Sequence, residues 1–377
     1  MTFSEDKKRW LALVVLCLGT LMIVLDTTIV NVALPSIRAD LGFSASSLAW
    51  VVNAYLLTFG GFLLLGGRLG DLFGERKMFL IGITVFTLSS VVCGVASTQW
   101  FLITARAVQG LGGAIVSAVS LALMMNLFIE AKERAKAMGY FGFVAAAGGS
   151  IGVLLGGFLT GAFNWHWIFW VNLPIGIVVV FLSLSLLPQD KIKTYTKQLD
   201  VWGALTVTAS LLLAVYAIVN ANGVGWLSLQ TVGLLVAAVA LLGAFIAIES
   251  GVQSPLIPLS LFKLRNIVVA NIIGVLWAAA MFAWFFISAL YLQLVLHYDP
   301  LHVGFAFLPA DLLMAAFSFS LSGKLVNRFG IRRPLSIGLG LAALGLLLFA
   351  AAPVAANYYN KCIAEYGIAW YRRRDSV

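Results

Sequence analysis

Eleven runs of about 20 mostly apolar residues, separated by short polar segments, constrain this chain more than any other feature. Such a run matches the hydrocarbon thickness of a bilayer, roughly 30 Å, because a helix rises about 1.5 Å per residue. In that medium every backbone polar group must be satisfied within the segment, so each run reads as a spanning helix. The runs fall near residues 10–32, 48–66, 78–97, 100–127, 138–162, 167–187, 202–220, 227–249, 267–290, 303–322 and 335–354. Composition agrees: 62% of the 377 residues are hydrophobic and only 10% are charged, against roughly 25% charged in soluble domains. The expected fold class is an all-α membrane protein. The first run is too long, and its polar end at residues 26–31 too polar, for a cleaved signal peptide.

The connecting segments set an orientation. If the N-terminus is cytoplasmic, the inside segments hold eighteen Lys and Arg, and the outside loops up to residue 356 hold one, Arg38. This is the positive-inside bias of a polytopic membrane protein. The net charge of +9 is then a topology signal, and no basic stripe interleaved with exposed aromatics points to nucleic acid. Cys17 and Cys93 fall inside spans and Cys362 in the tail, so neither a disulfide framework nor a CxxC metal site is readable. His166, His297 and His302 lie in outside loops, with no reactive partners at matching depth. An enzyme, a metal and a cofactor are all unexpected on this reading.

One inside segment is unusually rich in charge. GGRLGDLFGERKMF, residues 66–79, places Arg68, Asp71, Glu75, Arg76 and Lys77 between two apolar runs. The pattern returns 256 residues further on as SGKLVNRFGIRRPL, residues 322–335, where Gly67, Leu69, Phe73, Gly74 and Arg76 meet identical residues. The same offset carries the first three spans nearly onto the ninth, tenth and eleventh. The chain therefore reads as a parallel six-helix repeat with the second unit incomplete, one of the plans on which secondary transporters are built. The expected organisation is a six-helix unit at 1–190, a two-helix insertion at 191–262, the first three helices of a second unit at 263–355, and a polar, non-spanning tail at 356–377. That tail carries Lys361, Arg372, Arg373 and Arg374 where an outside location is expected, and is read as a truncated or frame-shifted end, the other reading being a short extracellular tail.

Four motifs in order resemble the major facilitator superfamily, in its fourteen-helix drug:proton antiporter branch. GRLGDLFGERK at residues 67–77 resembles the superfamily's cytoplasmic signature, and LDTTIVNVALP at 25–35 the first-helix signature of this branch. RAVQGLGGA at 106–114 resembles the fourth-helix motif with its buried arginine. GSIGVLLGG at 149–157, with Gly148 before it, resembles the antiporter motif of the fifth helix, although Val153 stands where proline is usual. WVVNAYLL at 50–57 and WIFWVNLPIG at 167–176 add support, and the likeness covers residues 10 to about 354. It implies a major-facilitator-type bundle of about 11 transmembrane helices and a loop, residues 67–77, that latches the two halves in one state. By the same resemblance, each such loop latches onto the fifth helix of the other half. Residues 323–333 should then lie near the start of the fifth helix, residues 136–140, while Asp71 lacks its partner helix and relies on loop cations or water.

Ionisable residues inside spans cost several kcal/mol and by default mark function. Asp26, Arg106 and Asp311 all fall roughly 9–12 Å below the outer surface, so a shared polar cavity is geometrically possible. Burial favours the protonated form of a carboxyl and a nearby guanidinium the ionised form, which is the physical content of proton coupling. The alternative is an Asp26–Arg106 ion pair that only fixes two helices. Gly148, Gly152 and Gly156, four residues apart and followed by Gly157, make a smooth face for close helix approach, either a gating seam or ordinary packing. In the charged loop, Gly67 and Gly74 permit a tight turn, Arg68, Arg76 and Lys77 hold the loop inside, and Asp71 can bond or cap a helix end. Phe282, Trp284, Phe285 and Phe286 line a drug cavity, or else face lipid or core.

Together these features point to a proton-coupled exporter of hydrophobic or cationic small molecules, working by alternating access. It is expected in the plasma (inner) membrane with a cytoplasmic N-terminus, as a monomer whose partners are substrate, protons and the lipid bilayer. A metabolite-specific facilitator and a non-transporting fragment are the other readings.

Overall fold

The computed structural model describes residues 5–190, 200–252 and most of 255–350. Ten of its helices are long and apolar enough to cross a membrane. The chain forms two compact units, Met1–Val268 and Val269–Val377.

In the first unit, α1 (Glu5–Leu41), α2 (Ala45–Phe73), α3 (Glu75–Cys93), α4 (Gln99–Leu127) and α5 (Ala131–Ala162) are followed by the single turn α6 (Trp167–Trp170) and by α7 (Asn172–Leu186). The insertion supplies α8 (Val201–Val224) and α9 (Leu229–Gly251). Local chemistry explains the starts of three helices. The side chains of Ser44, Asp200 and Ser228 accept hydrogen bonds from the backbone N–H of Ser47, Gly203 and Thr231, covering otherwise orphaned donors. Packing is mostly pairwise: α2 and α3 both lie on α4, α1 lies along α5, and α7 touches α1 and α3. The α8–α9 hairpin is seated on α2, where Thr208 donates to the Gly61 carbonyl at 3.0 Å and Trp50 meets Tyr216 at 5.6 Å between ring centroids. Outward faces remain apolar, with Leu88, Phe181 and Val236 exposed, as lipid contact requires and water disfavours.

The charged segment folds more tightly than expected. The second span continues through residues 67–73 as part of α2, and α3 begins at Glu75. Gly67 is therefore a helical residue, and the turn rests on Gly74 alone, at φ +101°. No other residue adopts that conformation without strain.

The second unit holds most of α10 (Arg265–Leu290), a π turn at Tyr291–Val295, α11 (Pro300–Ala316) and α12 (Arg332–Ala350). Its buried apolar cluster is Leu292, Val303 and Phe307, with Trp284 and Phe285 packed against it. Those two aromatics serve this core, while the side chains of Phe282 and Phe286 lie outside the described residues. Residues 323, 324, 326, 327 and 331 of the repeated loop and the whole tail at 356–377 also lie outside them.

Candidate functional site

Two apolar clusters fill the first unit, and the polar site sits where they meet. On α1, Met22 and Ile23 belong to one cluster and Ile29 and Val30 to the other. Asp26 lies between them, 0% exposed. On α4, Ala105 belongs to the second cluster and Ile115 to the first, with Arg106 between them, 1% exposed.

The matched depths read from the sequence bring these two side chains into direct contact. Arg106 Nη1 donates to Asp26 Oδ2 at 2.5 Å and to Gln109 Oε1 at 2.7 Å. Gln109 Nε2 donates to the other carboxylate oxygen, Asp26 Oδ1, at 2.8 Å. Asn172, the first residue of α7, donates through Nδ2 to that same oxygen at 3.2 Å and to Ser90 Oγ of α3 at 3.0 Å. Ser90 in turn donates to the Phe169 carbonyl of α6 at 2.8 Å. Arg106 Nε reaches the Val51 carbonyl of α2 at 3.0 Å, and its guanidinium lies 4.3 Å from the centroid of the Tyr55 ring. Five elements thus contribute polar groups to one buried point around α1. A buried charge must be paired and its lone pairs satisfied, and this carboxylate has three side-chain donors.

Sequence reasoning found Asp26 and Arg106 because charge inside a span is costly. It missed Gln109, Asn172 and Ser90, whose neutral groups carry no such penalty, although Gln109 and Asn172 stand within motifs already noted. Asp311 falls in α11, in the other compact unit, and its side chain lies outside the described residues.

The glycine face of the fifth span is an interface with α1. A Cβ on Gly148 would meet Val24 and Leu21, one on Gly152 would overlap Thr28 Oγ1, and one on Gly156 would meet the Ile29 carbonyl at 2.9 Å. All three are buried, whereas Gly157 is half-buried and stands off that face. The seam fixes the height of α1, and so of Asp26, against α5.

Near the end of α2, Arg68 lies 3.9 Å from exposed Asp71, its i,i+3 neighbour in the same helix. Asp190, just beyond α7, accepts from the backbone N–H of Arg76 at 2.9 Å and of Lys77 at 3.1 Å. Arg76 Nη2 donates to the Leu184 carbonyl at 2.5 Å. An acidic residue at a helix N-terminus is favourable for both the free N–H groups and the dipole. Asp190 therefore does for α3 what the sequence suggested Asp71 could do for a helix end. Its signal was the juxtaposition of one acid with a basic loop on the same side of the membrane.

No group of three or more His, Cys, Asp or Glu suited to a metal occurs among the described residues. The network holds a buried charge pair and, among the described residues, presents no activated nucleophile.

The chain is 40% identical over 352 residues to the puromycin resistance protein pur8 of Streptomyces alboniger, covering 93% of this chain and 68% of that one. It is 37% identical to the multidrug resistance protein Stp of Mycobacterium tuberculosis, covering 91% and 64%, and 37% identical to the cephamycin export protein CmcT of Amycolatopsis lactamdurans, covering 91% and 71%. It thus spans about two thirds of the length of these proteins. Among solved structures, the proton:xylose symporter XylE is similar at TM-score 0.64 and 15% identity, covering 97% of this chain and 81% of that one. The human organic anion transporter MFSD10 is similar at TM-score 0.60 and 16% identity, covering 96% and 83%; at such identities the likeness speaks to fold alone. The family model for the Major Facilitator Superfamily matches residues 16–360. With that match and these relatives, the chain belongs to the Major Facilitator Superfamily, a family of membrane transporters.

Proposed function

We propose that this chain is a proton-coupled exporter of hydrophobic or cationic small molecules, with Asp26 as the proton-carrying group and Arg106 as its counter-charge. The observation that carries this reading is the fully buried Asp26–Arg106 pair joined to four helices of one unit. Relatives named for puromycin, multidrug and cephamycin resistance or export support the substrate class.

The chemistry follows from the pair. Ionised, Asp26 draws three donors inward and holds α1, α4 and α7 together. A proton removes the charge that Arg106 and Gln109 are bonded to, weakening that tie and freeing α1 to move relative to its neighbours. In the alternating-access cycle we propose, Asp26, buried in this structure, opens to the outer solution for loading and to the inner solution for release, and drug leaves outward as protons enter. The lysine and arginine bias supports a cytoplasmic N-terminus, and we take the membrane to be the plasma (inner) membrane. We further read the chain as a monomer built from a six-span unit at 1–190, the 191–262 insertion, the opening helices of a second unit at 263–355 and the 356–377 tail. Asp311, in α11, is assigned to the substrate pathway of that second unit.

Cells expressing the chain should accumulate less of a fluorescent lipophilic cation than control cells, and a protonophore should erase the difference. Equal accumulation with and without the protonophore would show that protons do not drive the efflux.

A further inference from the structure

Of the side chains bonded to Asp26, one carries a buried acceptor that nothing uses. Asn172 is 1% exposed, and its Nδ2 serves both Asp26 and Ser90, yet its Oδ1 is buried and accepts no hydrogen bond. Burying an amide acceptor without a donor costs about 1–3 kcal/mol. Asn172 stands at the start of α7, two residues past the end of the α6 turn, and its side chain is buried away from solvent.

We infer that Asn172 is a positioning residue that reads the protonation state of Asp26 by reversing its side-chain amide. An ionised carboxylate only accepts, so it selects the Nδ2 edge; a protonated carboxyl carries an O–H donor, which selects the Oδ1 edge. When a proton from water joins Asp26 Oδ1, that oxygen and Nδ2 are both donors at 3.2 Å and repel. Rotation of the amide by about 180° puts Oδ1 there to accept the new O–H, and the protonation is the only covalent change. The same rotation withdraws Nδ2 from Ser90, whose hydroxyl can then leave the Phe169 carbonyl for the amide oxygen. The proton on α1 is thereby reported to α3, α6 and α7 through atoms already in contact. Other ionisable groups near Asp26 are Arg106 of α4, Tyr55 of α2 and Cys93 of α3. On α5 the ionisable residues stop at Tyr140, near its start, and α6 and α7 carry none. Arg106 only donates and the Cys93 thiol already donates to Gln109 at 3.6 Å, while the buried Tyr55 hydroxyl is bonded to neither Asp26 nor Ser90.

This inference rests on Asp26 taking up a proton, and infrared difference spectroscopy of the full chain in liposomes, titrated with pH, separates the two claims. In the parent protein, a carboxylic C=O band that vanishes in Asp26→Asn should grow as pH falls. An asparagine side-chain carbonyl band, absent in Asn172→Ala, should shift with the same midpoint. In Asn172→Ala the Asp26 band should move to the position of a carboxyl with a weaker hydrogen bond, and its midpoint should shift by about one pH unit. A titrating Asp26 band unchanged in position and midpoint in Asn172→Ala would overturn the role of Asn172 and leave the proton site standing. An Asp26 band that never titrates would overturn both. If Asn172→Ala does not insert, the co-titrating amide shift in the parent, and its loss in Asp26→Asn, still decides the matter.

Discussion

At the scale of single residues, the site is one carboxylate with three donors in an apolar bundle. Removing one member of a buried ion pair strands the other, at a cost of about 3–5 kcal/mol. Arg106→Ala is therefore expected to lower thermal stability sharply, and Asp26→Asn combined with Arg106→Ala to recover part of the loss, as read by thermal aggregation in detergent. Equal stability of the parent and Arg106→Ala would mean that the pair is solvated. Charge in a span made Asp26 and Arg106 legible in the sequence. The amides were not, because whether Gln109 or Asn172 reaches Asp26 depends on the rotation of α4 and α7 about their axes. An amide inside a span can find many partners, and hydropathy does not name which.

At the scale of elements, two contacts decide how helices are held. Along the α1–α5 seam, Gly152→Ala forces a methyl against Thr28 and the Leu25 carbonyl, whereas Gly149→Ala meets nothing within 4 Å. Overpacking of this kind costs about 1–3 kcal/mol. Gly152→Ala should lower both stability and export while Gly149→Ala leaves both near the parent value; matching effects would remove the seam from the account. At the α2–α3 turn, Asp190→Ala should weaken the start of α3 by about 0.5–2 kcal/mol, seen as faster amide exchange at Arg76 and Lys77. Asp71→Asn should change that exchange little, because Asp71 is exposed and meets Arg68 at 3.9 Å. The glycine spacing was readable, but its partner helix was not. Of the two glycines read as permitting the turn, Gly74 forms it and Gly67 is helical, because a glycine within the end of an apolar run looks like a loop until backbone hydrogen bonds show it to be helix.

At the scale of the whole molecule, hydropathy and charge bias carried most of the fold, since a bilayer leaves a spanning chain few choices. Orientation is tested by reporters: a fusion after Lys77 should read cytoplasmic and one after Thr98 external, and the reverse would overturn the loop-charge argument. Function depends on whether the buried pair moves protons or only binds helices together. The direct measurement is proton flux driven by a lipophilic cation gradient across liposomes holding the full chain, compared between the parent and Asp26→Asn at equal reconstituted amounts. The account predicts counter-directed proton movement in the parent and at least about a tenfold loss in Asp26→Asn, corresponding to about 1.4 kcal/mol or more of lost coupling. Undiminished proton flux in Asp26→Asn would contradict it.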